Sequence, residues 1–322
     1  MDRQCALKDD TVAAGPELRE ELARCNAMLD GLGPILQHLL SVPDRSLFSD
    51  EIVARVRGMM ADLANQILRA RSVGAGEDGE YEPTPSHGEA LSEVFQRQPA
   101  LLSHCHALAV EWHLTRKLES GTGLDPVLSP FLQRAVSASE PQIAELAMAA
   151  LAAQARFVQT QERMELPLGE LPGDLLHSTL LTWRRFGDED DADSAEEADA
   201  SIRQSYDESA SRTALLARLV DLCSDRLDAD PLAIDHAGAA VFFTALARGS
   251  GQPRELCVVS GHDRQAARLA IALRACGVEG RRIDETLLLV HPGVAPPFDV
   301  GGLSIGEARL LLNDAAYHLR PG

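Results

Sequence analysis

The residue types best able to hold a metal ion stand together in Ser103-His104-Cys105-His106, followed by Glu111-Trp112-His113. Imidazole, thiolate and carboxylate are the donors of zinc and nickel sites. The spacing works against a shared ion. On a helix His104 and His106 point about 200° apart, and His106 and His113 lie about 10 Å apart along the axis. Histidines of a helix face or core edge are therefore expected here, and no metal or other cofactor.

A second set is His236, the pair His262-Asp263, and Asp284 or Asp299. In that order these residues resemble the ligands of all-helical metal phosphohydrolases of the HD type, in which an open metal position activates water. The Gly-Lys that follows the pair in that family is replaced by Arg264-Gln265. Ser260-Gly261-His262-Asp263 reads as a turn, with Asp263 placed to N-cap a helix running through Arg268 and Leu273. Capping is the expectation. A metal-dependent phosphohydrolase using His236, His262 and Asp263 is the alternative function.

Other chemistries lack their residues. Lys8 and Lys117 are the only lysines among 30 basic residues. Neither follows a glycine, so there is no Gly-Lys-Ser/Thr phosphate loop, and neither sits in an apolar stretch that would favour Schiff-base chemistry. No Gly-x-Ser-x-Gly elbow occurs, and Gly249-Ser250-Gly251 lacks the Gly-x-Gly-x-x-Gly spacing of a dinucleotide site. The six cysteines form no Cys-x-x-Cys pair. Aromatic residues make up 4% of the chain and the net charge is −19, which excludes stacking platforms and repels nucleic acid.

Charge segregation remains. Residues 248 to 282 carry seven arginines against Glu255, Asp263 and Glu279, a local net of +4. Arginine's planar fork pairs bidentately with carboxylates. Arg248, Arg254, Arg264, Arg268, Arg281 and Arg282 are thus the candidate contacts for an acidic protein partner. Residues 187 to 200 hold eight acidic side chains and no basic one. Such a block reads as a solvated loop, able to fold back over the arginines and compete with that partner.

The elements that must position these residues are helical. Ile52, Val56, Met59, Met60, Leu63 and Ile67 recur at steps of three and four, behind Ser49 as N-cap. Asp125-Pro126 and Glu140-Pro141 mark two further helix starts, the second opening a run over 142 to 163. Period-2 alternation is missing, and Val258-Val259 and Leu287 to Val290 are too short to force a sheet. An all-α fold is predicted, as stacked hairpins or an irregular array. Its segments are 1–72, a linker at 73–86, 87–186, the acidic loop at 187–200, and 201–322, with an irregular connection at 292–302. No apolar stretch suits a signal or membrane span, so the expectation is a soluble cytoplasmic protein without membrane insertion, with Cys223, Cys257 and Cys276 as small buried hydrophobes.

Ala245-Leu246, Gly251 and Arg254-Glu255-Leu256 align with Ala272-Leu273, Gly277 and Arg281-Arg282-Ile283. Each unit reads as helix, glycine turn, helix, with a repeat of about 27 residues. Ala245 to Leu256, Leu269 to Val278 and the His291-Pro292-Gly293 turn resemble segments of an uncharacterised bacterial helical-repeat family, HEAT-like in character. The resemblance covers the C-terminal third and implies stacked helical hairpins; it brings no activity, ligand or functional residue. The function expected is a non-catalytic interaction scaffold or regulatory adaptor.

Overall fold

The computed structural model describes residues 14–41, 50–74, 85–187, 192–224, 226–291 and 300–317. The described residues form fourteen α-helices and no strand, so the fold is all-α. The chain divides into two compact units, a larger one of Leu32–Ala245 and a smaller one of Met1–Gly31 with Leu246–Gly322. The division falls inside α1 (Ala14–Ser41) and inside α10 (Ile234–Ser250).

In the larger unit, α2 (Asp50–Gly74) buries Ile52, Val56, Met59, Met60, Leu63 and Ile67, the six residues of its apolar stripe. Each such side chain contributes about 1.5–3 kcal/mol on leaving water. Around α2 pack α3 (Pro85–Phe95), α4 (Pro99–Thr122) and α8 (Ala192–Ser205), while α7 (Gly173–Phe186) lies against α3, α4 and α8. A second group has α6 (Pro141–Glu162) at its centre, between α5 (Pro130–Val136) and α9 (Arg212–Cys223) and touching α4. Helix α4 is buried on nearly every side, which its run Ala107-Leu108-Ala109-Val110 requires, since a helix without a polar face needs neighbours all round.

Two expectations are corrected. Residues 192 to 205 are not a loop: Ala198 and Ile202, one turn apart, bury against the α2 and α7 side and hold this part of the acidic block helical. Asp199 pairs there with Arg203 at 2.9 Å and Arg184 at 4.0 Å. Asp125-Pro126 does not start a helix, because Asp125 Oδ1 accepts from the amides of Val127 and Leu128, both at 2.8 Å, and closes a turn. The helix begins at Pro130, where Ser129 Oγ caps Leu132 N at 3.3 Å. Ser49, residues 75 to 84 of the expected linker, residues 188 to 191 of the expected acidic loop and residues 292 to 299 lie outside the described residues.

In the smaller unit, α12 (Ala266–Ala275) packs on α13 (Gly280–Val290) and α14 (Ile305–Tyr317), and α11 spans Arg254–Val259. The two glycine turns of the aligned units are present. Gly251 (φ 73°) and Gly277 (φ 86°) take the left-handed conformation that ends a helix, which β-carbon sterics disfavour in other residues.

Candidate functional site

The arginines proposed to contact a partner belong to the smaller unit, and they part company. Arg248, Arg264, Arg281 and Arg282 are exposed and Arg254 is half-buried. Arg281 Nε lies 3.0 Å from Glu285. Arg268 is the correction: it is 2% exposed, and its Nη2 donates to Asn26 Oδ1. Burial lowers its pKa from the usual arginine value. The physical reason is its helix, since Ala266, Ala267, Leu269, Ala270, Ile271, Ala272, Leu273 and Ala275 are all buried and α12 presents no outward face at that position.

Among the described residues no group of three or more His, Cys, Asp or Glu could hold a metal ion. His104 and His106 are buried in α4, whereas His113 is half-exposed with Nδ1 3.8 Å from Glu51. His236 is exposed beside Asp235. His262 Nδ1 accepts from Arg264 N at 3.3 Å and closes the turn Asp263–Gln265, and the helix expected to follow Asp263 directly starts only at Ala266; the Asp263 side chain lies outside the described residues. Asp284 is exposed on α13, and Asp299 lies outside the described residues.

What the structure does build is a cleft of about 450 Å³ in the larger unit. One side is the end of α6, with Arg156, Gln159, Thr160, Gln161 and Arg163; the rest comes from α4, from residues 166 to 170, and from residues 205 to 213. Sequence reasoning did not reach it, although Arg156, Thr160 and Arg163 stand at helical spacing i, i+4, i+7, the one local signal of a shared polar face.

Arg212 anchors one wall. It opens α9 behind Ser211, whose Oγ caps Ala214 N at 3.3 Å. A cation at a helix N-terminus opposes the helix dipole by about 0.3–1 kcal/mol. The compensation comes from far away in the chain. Arg212 Nη1 and Nη2 donate to the two carboxylate oxygens of Glu111 at 2.7 and 2.9 Å, and Nη1 also reaches Gln154 Oε1 at 3.2 Å. The guanidinium carbon sits 3.7 Å from the Phe157 ring centroid. Both partners of the pair are essentially buried, at 2% and 0% side-chain exposure, so its charges cancel without water.

The segment after α6 forms another wall, and one face of α2 holds it. Arg55 Nη1 donates to Gln161 O, and its guanidinium stacks 5.1 Å over Trp112. Gln161 Nε2 donates to Glu165 O at 3.2 Å. Asp62 Oδ2 accepts from Leu166 N at 2.9 Å, and Gln66 Oε1 accepts from Leu168 N at 3.1 Å. Residues 55, 58, 62 and 66 lie on one helix stripe, and at Gly58 an added β-carbon would stand 2.6 Å from Met164 Cβ. Met164 itself is left-handed at φ 59°.

Asp62 gives this wall a pH signature. Burial, ahead of the opposing bond from Leu166 N, raises its pKa. A carboxyl raised in the fold favours the folded state at low pH and loses that contribution as pH climbs through the raised value. Asp62→Asn should therefore gain stability relative to the native protein on going from acidic to neutral pH. Guanidinium titrations at the two pH values check this; an unchanged difference contradicts it.

Residues 168 to 171 are tied to 206 to 208. Tyr206 Oη donates to Leu171 O at 2.7 Å, and Asp207 Oδ1 accepts from Ser209 N and Oγ at 3.0 and 2.7 Å. The hydrogen bonds to Ser209 hold the Asp207 carboxyl below its usual value. Burial pushes the Tyr206 phenol up to about 12, helped by the charges of Glu208, Asp174, Asp207 and Glu170. The cleft hydroxyls of Thr160 and Ser205 donate to helix carbonyls Phe157 O (3.1 Å) and Ile202 O (3.0 Å), a use that withholds their protons from a base. The arrangement can bind polar groups of either charge between fixed walls.

No protein-family model matches the chain, and it matches no curated protein and no solved structure.

Proposed function

We propose that the protein is a non-catalytic regulatory adaptor: the cleft of its larger unit receives a polar ligand, and the exposed arginines of its smaller unit receive an acidic partner protein. The observation that carries this reading is the cleft itself, whose walls are set by buried bonds from α2, α4 and α9 that need no ligand. Its volume falls in the range of about 300–1,000 Å³ usual for ligand sites. The two glycine turns support the helical-repeat reading of the C-terminal third. Free thiols at Cys25, Cys105, Cys223, Cys257 and Cys276 support residence in the reducing cytoplasm.

Affinity capture from extracts of the source cells tests the adaptor role, using the native chain and a triple variant Arg264→Glu, Arg281→Glu, Arg282→Glu. All three side chains are exposed, so helix content should be unchanged. The native chain should retain a partner whose capture weakens as salt rises, and the triple variant should lose it. The same yield on both proteins, or no partner on the native chain, contradicts the reading.

A further inference from the structure

The cleft is dipolar in its lining. Its α6 side supplies Arg156 and Arg163 with neutral Gln159, Thr160 and Gln161, and no acid. Arg163 Nε is engaged by Glu165 at 2.8 Å. Arg156 is exposed and makes no hydrogen bond or ion pair among the described residues, which leaves its fork open to an anion. The cleft's two acids, Glu170 and Asp207, come from the other segments, and the Tyr206–Leu171 bond brings those segments together. Glu170 Oε2 accepts from Arg212 N at 2.9 Å and Asp207 Oδ1 from Ser209, which leaves the second oxygen of each carboxylate for a cation.

Gln161 adds an independent sign. It lines the cleft, is 1% exposed, and has Oε1 without a partner among the described residues, while its Nε2 is fixed on Glu165 O. A buried acceptor left unmatched is destabilising, and a donor from a ligand would satisfy it. Arg212, the third cation of the lining, is neutralised by Glu111 and leaves the balance to the exposed groups.

Charge narrows the choice of ligand. The larger unit, Leu32–Ala245, carries 34 acidic and 17 basic side chains, so a polyanion is repelled on approach to its cleft, whereas a ligand of zero net charge is not. A cavity of about 150 Å³ holds one benzene-sized fragment, so about 450 Å³ holds two or three residues of a peptide.

We infer that the cleft takes a short zwitterionic ligand, an amino acid or peptide of a few residues with free ends, its carboxylate on Arg156 and its ammonium toward Glu170, Asp207 and Gln161 Oε1. This rests on the cleft being the binding site of the adaptor. It identifies the regulator as a free peptide and leaves the acidic partner to the other unit.

Free alanine and its di-, tri- and tetrapeptides serve as probes, because charge separation grows by about 3.5 Å per residue while the chemistry stays constant. Calorimetric titration of the full chain should show one preferred length. N-acetylation, which removes the ammonium, and C-terminal amidation, which removes the carboxylate, should each weaken that peptide about tenfold or more. In Arg156→Gln the free and amidated peptides should bind equally weakly. Equal binding of free and capped peptides, or no binding of any length at millimolar concentration, overturns the assignment. If no peptide binds while the arginine-dependent partner is still captured, the ligand class fails and the adaptor reading stands; if capture fails as well, both fall.

Discussion

Arg212→Met should destabilise the larger unit by about 3–5 kcal/mol, because it leaves Glu111 buried without its cation. Glu111 is fully buried and receives both guanidinium nitrogens, so bulk water does not replace them. The second half of the expectation separates this cause from simple loss of bulk. Adding Glu111→Leu removes the stranded charge, and at least half of the lost stability should return, since an apolar pair of similar volume is tolerated where a broken ion pair is not. Fluorescence during guanidinium unfolding reads this unit specifically: both tryptophans, Trp112 in α4 and Trp183 in α7, belong to it and are buried. A double variant no more stable than Arg212→Met would show that packing on Phe157, and not charge, is what Arg212 supplies.

Gly58→Ala should also destabilise, against its helix propensity. In the middle of a helix the change normally gains about 0.5–1 kcal/mol. Here the new β-carbon meets Met164 Cβ at 2.6 Å and Met164 O at 3.0 Å, and forced overpacking of this kind costs about 1–3 kcal/mol. The segment that must give way is the cleft wall after α6, so the change should weaken ligand binding as well. In a Met164→Gly background the β-carbon clash disappears, and Gly58→Ala should lose more than half of its cost. Fluorescence-monitored unfolding of the four proteins gives the coupling directly. Purely additive effects would place the cost elsewhere.

Periodic, local signals carried over well from sequence to structure. The α2 stripe from Ile52 to Ile67, the run of α6 and the turns at Gly251 and Gly277 each depend on neighbours within one or two helical turns, where residue spacing speaks for itself. The acidic block was misread because eight like charges hid one short apolar pair, Ala198 and Ile202, whose burial is decided by α2, some 130 positions earlier in the chain. Arg268 was assigned to the surface by residue type alone. Its helix, Ala266 to Ala275, is apolar on both sides of position 268, with Ala267, Leu269, Ile271 and Ala272 all buried, and that pattern places Arg268 in the core. The cleft was half legible. Arg156, Thr160 and Arg163 share a helix face by spacing, but Glu111 and Arg212 are separated by 101 residues and nothing local links them.

The cleft walls exist before any ligand arrives, and amide hydrogen exchange of Leu166 and Leu168 in the ligand-free protein tests that most directly. Their N–H groups are held by Asp62 Oδ2 and Gln66 Oε1, side chains of a helix buried in the core of the larger unit. The two amides should exchange as slowly as the core of α2, and Asp62→Ala should release Leu166 selectively. Exchange of both amides at the rate of an open loop in the native protein would contradict a preformed site.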